Sequence, residues 1–407
     1  MWQSVKSAAS AFKSKGYRLF YASGFAGRLW EWADFTVLNW AVLQMTHSPL
    51  YLGLINVCRL LPIFLFSLTG GVLADRFPKK MLLLISQLLM LASTVWLISA
   101  WGGPMPLILA IVFIRSAIQA VEAPIRNTYV ADLAGKESLT SAVAHYSSMI
   151  HLARLIGPAA AGVLLGSMDA EFLLALFLGL LAVSVLVMVF VPPGQAVPAK
   201  KDKPRGSNLK DAFMYVKKDS CIQGLLLLSV IPMTFGFPYS SMMPIFADSL
   251  MNIGPQGFGL LLSLSSFGAI IGTWVLSAGW IRANHRTMIG SSVLFGVFII
   301  GMIMAAESTY LLFAIVFMMG LFGQVYRTLN RISLQHYVPS HYRGKILSIA
   351  LMDRGFISLG TMLFTLLAEW NVYWSGLLMG LSCCALTIII GAIFSRPLEK
   401  MHNEVGG

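Results

Sequence analysis

The sequence is a succession of long apolar runs, separated by short breaks that carry glycine, proline or charged residues. A helix needs about 20 apolar residues to cross the hydrocarbon core of a bilayer. Hydrophobic residues make up 57% of the 407 residues and charged residues only 11%, whereas a soluble domain is about one quarter charged. The pattern therefore predicts an integral membrane protein built of helices, because lipid offers the backbone no hydrogen-bond partner.

The apolar runs predict an all-α membrane protein with twelve transmembrane helices. The predicted spans are 19–44, 50–74, 81–101, 105–126, 141–166, 171–192, 221–247, 257–280, 288–306, 309–330, 346–368 and 371–394. One long hydrophilic stretch divides them into six and six. The predicted domains are an N-terminal six-helix bundle over 1–192, a cytoplasmic middle loop over 193–220, a C-terminal six-helix bundle over 221–394 and a cytoplasmic tail over 395–407.

Two glycines suggest that the halves are related repeats. Gly157 of span 5 and Gly360 of span 11 occupy corresponding places in the two halves. Parallel six-helix repeats around a central cavity are a known transporter architecture. The alternative is that any two apolar stretches look somewhat alike.

Lysine and arginine occur in every second break. The breaks after spans 1, 3, 5, 7, 9 and 11 contain neither residue, whereas the N-terminal segment, the loop after span 2 and the middle segment are basic. Cytoplasmic loops of membrane proteins carry this excess, so we expect both termini in the cytoplasm. The net charge of +12 then faces anionic lipid head groups, and a nucleic-acid partner is not expected.

The loop after span 2 carries the most specific motif of the chain. Gly71 to Lys80 read Gly-Val-Leu-Ala-Asp-Arg-Phe-Pro-Lys-Lys. This resembles the signature of the major facilitator superfamily, Gly-x-Leu-Ala-Asp-Arg-x-Gly-Arg-Arg, with Pro78 where the family usually has glycine. Over Tyr17–Lys80 and Arg126–Gly162 the chain is similar to a bacterial branch with enterobactin-type siderophore exporters and macrolide efflux proteins. The resemblance implies transport across the bacterial inner membrane.

We expect this loop to take part in gating. An aspartate at the membrane surface can accept hydrogen bonds from a helix N-terminus or an arginine, in one conformation and not in another. A glycine near a helix end lets a second helix approach closely. The predicted gating residues are Gly71, Asp75, Arg76, Lys79 and Lys80. Alternatively, the three basic residues only orient the hairpin.

Several ionisable residues lie deep inside the predicted spans, where each charge costs about 2.5–3.5 kcal/mol on insertion scales. Such groups persist where they pair or face a hydrated cavity. The predicted proton-coupling residues are Glu31, Asp34 and Glu122, and the predicted cavity residues, which favour an anionic substrate, are Arg28, Arg115, Arg154 and Arg354. The alternative is static pairing, of Glu31 with Arg28 or of Glu122 with Arg126 one turn away.

Span 5 contains Gly157 followed by Pro158. Proline removes one backbone donor and glycine allows a partner helix to pack closely. We predict a helix bend here that serves motion; a simple packing notch is the alternative.

Motifs for catalysis are absent from the sequence. It has no phosphate-binding glycine loop, no cluster with metal-ligand spacing and no convincing nucleophile arrangement. The four cysteines fit neither a zinc site nor a disulfide framework. We therefore predict no enzyme activity, no cofactor and no metal, and a chain that acts as a monomer.

The sequence favours proton-driven export of a small organic molecule, either a siderophore or a hydrophobic antibiotic, through alternating access. Its expected partners are that substrate, protons and the lipid bilayer. A facilitator, a lipid flippase or an importer on the same fold is the alternative. A non-transporting membrane sensor is the third possibility.

Overall fold

The computed structural model describes residues 11–135, 138–194, 209–282, 284–339, 342, 346, 353–395, 397 and 399. These residues form helices and contain no strand. Each apolar run of the sequence falls on a helix. The all-α prediction is therefore confirmed for the described part of the chain.

Six long α-helices cover the first half. They are α1 (Lys15–Thr46), α2 (Pro49–Arg76), α3 (Lys79–Ser99), α4 (Met105–Ala134), α5 (Leu139–Leu165) and α6 (Ala170–Val189). Helix α4 continues two turns beyond the predicted end of span 4, because a helix does not have to stop where its residues become polar. It ends before Gly135, whose φ of 73° is a conformation that favours glycine.

The structure describes eight further α-helices in the second half. They are α7 (Leu209–Lys218), α8 (Ser220–Phe235), α9 (Tyr239–Ile245), α10 (Gly254–Ser277), α11 (His285–Met304), α12 (Thr309–Tyr337), α13 (Asp353–Trp370) and α14 (Val372–Ile393). Helix α7 lies in the segment predicted as the middle loop, and the sequence analysis did not predict it. Asp219 separates α7 from α8 and caps α8, since its carboxylate accepts from the backbone N–H groups of Cys221 and Ile222 at 2.9 and 3.1 Å.

The seventh predicted span is broken. Helix α8 contains Pro232 and ends at Phe235, α9 begins after Pro238, and a π-helical turn, Phe246–Leu250, follows α9. The carbonyl of Pro232 accepts from the backbone N–H groups of Gly236 and Phe237, at 2.8 Å each. Proline lacks a backbone donor, which explains why the helix stops and restarts here.

Among the described residues, ten helical segments are long and apolar enough to cross a membrane, with α8 to the π turn counted as one segment. Helix α1 is long, but Arg28, Glu31 and Asp34 interrupt its apolar character. The apolar part of α13, Gly355–Trp370, is shorter. The protein is thus a multi-pass membrane protein.

The chain divides into two compact units. The first unit consists of Met1–Met45 and Leu54–Lys200, and the second of Thr46–Gly53 and Lys201–Gly407, as far as their residues are described. In the first unit, α3 packs against α4 and α6; in the second, α12 packs against α10 and α11. Each unit has its own apolar core, with Tyr17, Phe20 and Tyr129 in the first and Leu228, Val325 and Tyr326 in the second.

Candidate functional site

Helix α1 carries three charged residues at intervals of three, inside the first unit. The guanidinium of Arg28 donates to the carboxylate of Glu31, and both side chains are about one-fifth exposed, at 19% and 22%. Residues three apart on a helix are neighbours, so this pair follows from the sequence. The static pairing that the sequence left open is therefore present in this structure.

Asp34 pairs with arginines from two other helices. Its Oδ1 accepts from Nη2 of Arg115 at 2.7 Å, and its Oδ2 accepts from Nη1 of Arg59 at 3.4 Å. The side chain of Asp34 is only 3% exposed. One carboxylate thus links α1, α2 and α4 and faces two cations, so one positive charge remains uncompensated.

Aromatic rings cover the same two arginines. The guanidinium of Arg115 lies 5.3 Å from the ring centre of Trp30, and that of Arg59 lies 5.0 Å from the ring of Phe35. Cations over aromatic faces are stabilised by the charge distribution of the ring, the more so where water is excluded. The two rings therefore help to hold the excess positive charge inside the unit.

A second ion pair lies farther along α4. Oε1 of Glu122 accepts from both Nε and Nη2 of Arg126, at 2.9 and 2.5 Å. The guanidinium of Arg126 also lies 5.6 Å from the ring centre of Phe20. The predicted pairing of Glu122 with Arg126 one turn away is thus present.

Two clefts inside the first unit connect these pairs. The Asp34 cleft has an empty volume of about 270 Å³, and the Glu122 cleft one of about 400 Å³, both counted with the solvent they open to. The two clefts share four lining residues, Trp30, Glu31, Met90 and Gln119. The clefts are therefore neighbours that meet at Glu31.

Arg154 has a different environment from the other predicted cavity residues. Its guanidinium lies 5.1 Å from the ring centre of Trp32, and it is not among the residues that line either cleft. The side chain of Arg354 is outside the described part of the protein.

Gly157 brings α5 into direct contact with α1. A Cβ atom added there would lie 2.8 Å from Cβ of Trp32 and 3.2 Å from the carbonyl oxygen of Leu29. The glycine therefore allows the two backbones to approach, as expected of a small residue between membrane helices. Pro158 lies within α5, which continues through it.

The loop between α2 and α3 is tied to other helices by its lysines. Nζ of Lys79 donates to Oδ2 of Asp132 at 2.6 Å, and Nζ of Lys80 donates to the carbonyl of Val189 at 2.9 Å. Arg76 is exposed, and the side chain of Asp75 lies outside the described residues. Asp132, near the end of α4, is a partner that the sequence analysis missed.

The close approach expected at Gly71 occurs at its neighbour. A Cβ atom at Gly71 would meet nothing within 4 Å, whereas one at Gly70 would lie 2.3 Å from the carbonyl oxygen of Val121. Successive residues of a helix point about 100° apart. Of these two glycines, Gly70 is the one that faces α4 in this structure, and the gating role of Gly71 stays a prediction.

The described residues offer no resident metal site. They contain no group of three or more His, Cys, Asp or Glu side chains that could hold a metal ion. Among these residues, Cys58, Cys221, Cys383 and Cys384 form no disulfide.

Membrane helices that enclose ion-paired charges and joined clefts have the architecture of a secondary transporter. Residues 6–405 match the model of the family described as transmembrane secretion effector. The chain belongs to this family, which is part of the major facilitator superfamily.

Similar proteins fit this assignment. The chain is 32% identical to the staphyloferrin A transporter of Staphylococcus aureus, over 96% of this chain and 99% of that protein. It is 21% identical to macrolide efflux protein A of Streptococcus pyogenes, over 79% of this chain and 83% of that protein. A crystal structure of a bacterial homologue of the human lysosomal transporter Spinster has the same fold, with a TM-score of 0.73 and 15% identity over 95% of this chain and 99% of that one.

Proposed function

We propose that the protein exports a small organic molecule, a siderophore or a drug such as a macrolide, across the bacterial inner membrane in exchange for protons. Twelve transmembrane helices in two six-helix repeats would expose the binding site to each side in turn, with both termini in the cytoplasm. The observation that carries this proposal is the set of ion-paired charges along two joined clefts inside the first unit.

Glu31 is the carboxylate that we assign first to proton coupling. It lines both clefts and pairs with Arg28 of its own helix, whereas Asp34 is held by arginines from two other helices. Moving the carboxylate of Glu31 disturbs an ion pair within α1, whereas moving that of Asp34 breaks ion pairs between helices. Asp34 and Glu122 are the next candidates.

Exchange of the substrate for protons requires that the two compete for the same carboxylate, so that only one of them is bound at a time. A substrate hydroxyl or ammonium group that donates to ionised Glu31 satisfies this requirement, since hydrogen bonds to the charged form oppose protonation. Protonation of Glu31 from the acidic side would then release the substrate group. This argument favours a substrate that carries donors as well as negative charge.

The charge balance of the first unit favours an anionic substrate. Apart from Glu171 at the exposed start of α6, its spans contain five arginines but three carboxylates, which leaves two positive charges. These residues are Arg28, Arg59, Arg115, Arg126 and Arg154, against Glu31, Asp34 and Glu122. A siderophore with carboxylate groups fits this balance better than a cationic macrolide does, and one similar protein is a staphyloferrin A transporter. We propose that Arg354 of the second unit also faces the substrate.

Two further elements complete the proposed cycle. The ion pair between Lys79 and Asp132, together with Asp75, would form in one conformation and break in another. Gly157 and Pro158 would provide the bend that lets α5 move against α1. Both assignments depend on alternating access.

Transport into inside-out membrane vesicles tests the proposal. Vesicles that contain the full-length protein are given metal-free siderophores from iron-starved cells of the source bacterium, or erythromycin, with and without an imposed acidic interior. We expect the acidic interior to drive uptake at least tenfold, and Glu31→Gln to abolish this dependence. Glu171→Gln is the matched control, since Glu171 is exposed at the start of α6 and should leave uptake unchanged.

The alternatives give other results. If uptake by the wild type does not depend on the pH gradient, the protein is a facilitator. If only right-side-out vesicles take up the substrate, it is an importer. If Glu31→Gln keeps the full pH dependence, the assignment of Glu31 is wrong.

A further inference from the structure

Three side chains that line the Glu122 cleft each carry a buried polar atom without a partner among the described residues. These atoms are Nε1 of Trp30, Oε1 of Gln87 and Nη1 of Arg126. The three side chains line the same cleft and are 5%, 2% and 3% exposed. A buried polar group without a partner costs stability, so three of them on side chains that line one cleft indicate a place where a ligand supplies the missing hydrogen bonds.

The orientation of Gln87 follows from its neighbours. The hydroxyl of Ser184 donates to the carbonyl of Ser23 at 2.8 Å, and the hydroxyl of Ser23 donates to the carbonyl of Ser184 at 2.8 Å. Because the single proton of Ser184 is used in this way, its oxygen must accept from Gln87, and Nε2 of Gln87 lies 3.0 Å away. The amide nitrogen of Gln87 therefore faces Ser184, and its free end is an acceptor that needs a donor.

Arg126 is fixed in a similar way. Nε and Nη2 are engaged by Glu122, which leaves Nη1 as the charged donor. On the side of α1, Gly24 and Gly27 line the Glu122 cleft with backbone atoms and no side chain. A Cβ atom at Gly24 would lie 3.5 Å from Nη1 of Arg126, and one at Gly27 would lie 3.1 Å from Oγ of Ser184. Glycine thus keeps the space beside both groups open.

We propose that the Glu122 cleft is a subsite for the hydroxycarboxylate group of an organic ligand. The carboxylate would accept from Nη1 of Arg126 and Nε1 of Trp30, and the neighbouring hydroxyl would donate to Oε1 of Gln87. The two donors match the two lone-pair-bearing oxygens of a carboxylate. The assignment of this subsite rests on the proposed transport function, and it specifies the chemical group that the transporter recognises.

The acceptor at Gln87 has a consequence for metal-loaded ligands. A hydroxycarboxylate that chelates ferric iron does so through its deprotonated hydroxyl oxygen, which then has no proton to donate. Gln87 would face an oxygen without a hydrogen, and two acceptors side by side repel. The subsite therefore takes the metal-free form of the ligand and rejects the metal-bound form.

Binding of malate and succinate tests the subsite, because these dicarboxylates differ by one hydroxyl. The full-length protein in lipid nanodiscs is titrated with each acid by calorimetry. We expect malate to bind about fivefold to tenfold more tightly, which corresponds to one hydrogen bond of about 1 kcal/mol. Adding gallium(III), which occupies the hydroxyl of malate, should remove this preference.

Variants keep the test specific. Gln87→Met preserves the size of the side chain without the acceptor and should bring the ratio of the two affinities to about one. Gln44→Met, at the exposed end of α1, is the matched control and should retain the wild-type ratio.

Equal affinity of the wild type for the two acids, or an unchanged ratio in Gln87→Met, would overturn the subsite and indicate that water alone fills the cleft. That result leaves the vesicle experiment untouched, because pH-driven export does not depend on this ratio. Conversely, a selective malate site without pH-driven uptake would retain the subsite and refute the exporter.

Discussion

The two units bury polar groups of different chemistry. In the first unit, carboxylates lie in the middle of α1 and α4 and pair with arginines of three helices. In the second unit, helices α8 to α12 and α14 contain no aspartate or glutamate. Buried groups there include the hydroxyls of Tyr239 and Ser265, 2.5 Å apart, and the amide of Asn330, which donates to the carbonyl of Leu225 at 3.0 Å.

This difference separates two tasks. Carboxylates and arginines change charge or partner when a proton or an anion arrives, whereas hydroxyls and amides stay neutral over the physiological pH range. The first unit thus holds the ion-paired carboxylates that lie in the middle of long helices. The acidic residues of α13 lie at its ends: Asp353 is its first residue, and Glu369, next to the last, accepts from the backbone N–H of Leu50 at 2.7 Å within the second unit.

The units also share one feature. Gly157 lets α5 contact the backbone of α1, and Gly360 lets α13 contact the break between α8 and α9, where a Cβ atom would lie 1.8 Å from the carbonyl oxygen of Thr234. In both units the fifth predicted span therefore meets the first predicted span through a glycine. This correspondence supports the repeats that we propose, although the charged residues were not repeated.

The largest effect is expected from removing one partner of the buried ion pair. Arg115→Ala leaves Asp34 with Arg59 at 3.4 Å, and loss of one partner from a buried pair typically costs about 3–5 kcal/mol. We expect the free energy of unfolding, measured by titration with denaturing detergent in mixed micelles, to fall by about this amount.

Removal of a buried neutral hydrogen bond in the second unit serves as the comparison for Arg115→Ala. Tyr239→Phe removes one neutral hydrogen bond and should cost about 1 kcal/mol. The double variant Asp34→Asn with Arg115→Met should recover part of the loss, because it removes both charges of the 2.7 Å pair together and leaves the net charge of the site unchanged. If Arg115→Ala costs no more than Tyr239→Phe, the buried charges are hydrated more extensively than the comparison assumes.

The glycine contacts predict a smaller, graded effect. Gly360→Ala must push the carbonyl of Thr234 away and should cost about 1–3 kcal/mol. Gly157→Ala should cost less, since its new methyl group meets a side-chain carbon at 2.8 Å. Melting temperatures of the purified variants should fall in this order.

Gly71→Ala is the control for this series. Its methyl group would meet nothing within 4 Å, so the melting temperature should stay at the wild-type value. Equal losses in Gly157→Ala and Gly360→Ala would favour equivalent contacts in the two units; a loss in Gly71→Ala would contradict the assignment of the close approach to Gly70.

The sequence predicted the all-α membrane architecture and those parts of the site that depend on local spacing. Arg28 with Glu31 and Glu122 with Arg126 lie one turn apart, so their pairing follows from helical geometry. The contact of Asp34 with Arg115 joins residues far apart in the chain, and its prediction requires the rotation of each helix about its axis. Apolar runs do not reveal this rotation when both faces are apolar.

Gln87 shows the same limit. It is an isolated amide in the apolar run of α3, which makes it noticeable, but its partner Ser184 lies on α6. The sequence therefore shows that Gln87 is unusual, but the direction of its amide depends on contacts among three helices. Gly70 was missed for a related reason, because the motif drew attention to the neighbouring glycine.

The smallest effect is expected at an exposed ion pair between the start of α11 and the C-terminal segment. Nη2 of Arg286 donates to Oε1 of Glu399 at 2.7 Å, with the side chains 78% and 49% exposed. This hydrogen bond, with the positive charge of Arg286, holds the pKa of Glu399 below its ordinary value. A lowered pKa in the folded state stabilises the fold above the ordinary pKa of glutamate, and the contribution disappears as the pH falls through the lowered value.

Arg286→Gln should therefore raise the pKa of Glu399 towards its ordinary range and leave the melting temperature at neutral pH almost unchanged, because exposed pairs contribute little to stability. Carbon NMR of the Glu399 carboxyl across acidic pH measures the first effect, with Arg282→Gln as the control that leaves it unaltered. An unshifted titration in Arg286→Gln would mean that the pair does not persist in solution. A shift without a change in stability would set this exposed pair against the buried pair of Asp34 and Arg115, and would show that burial, more than the distance between the charges, determines what an ion pair contributes here.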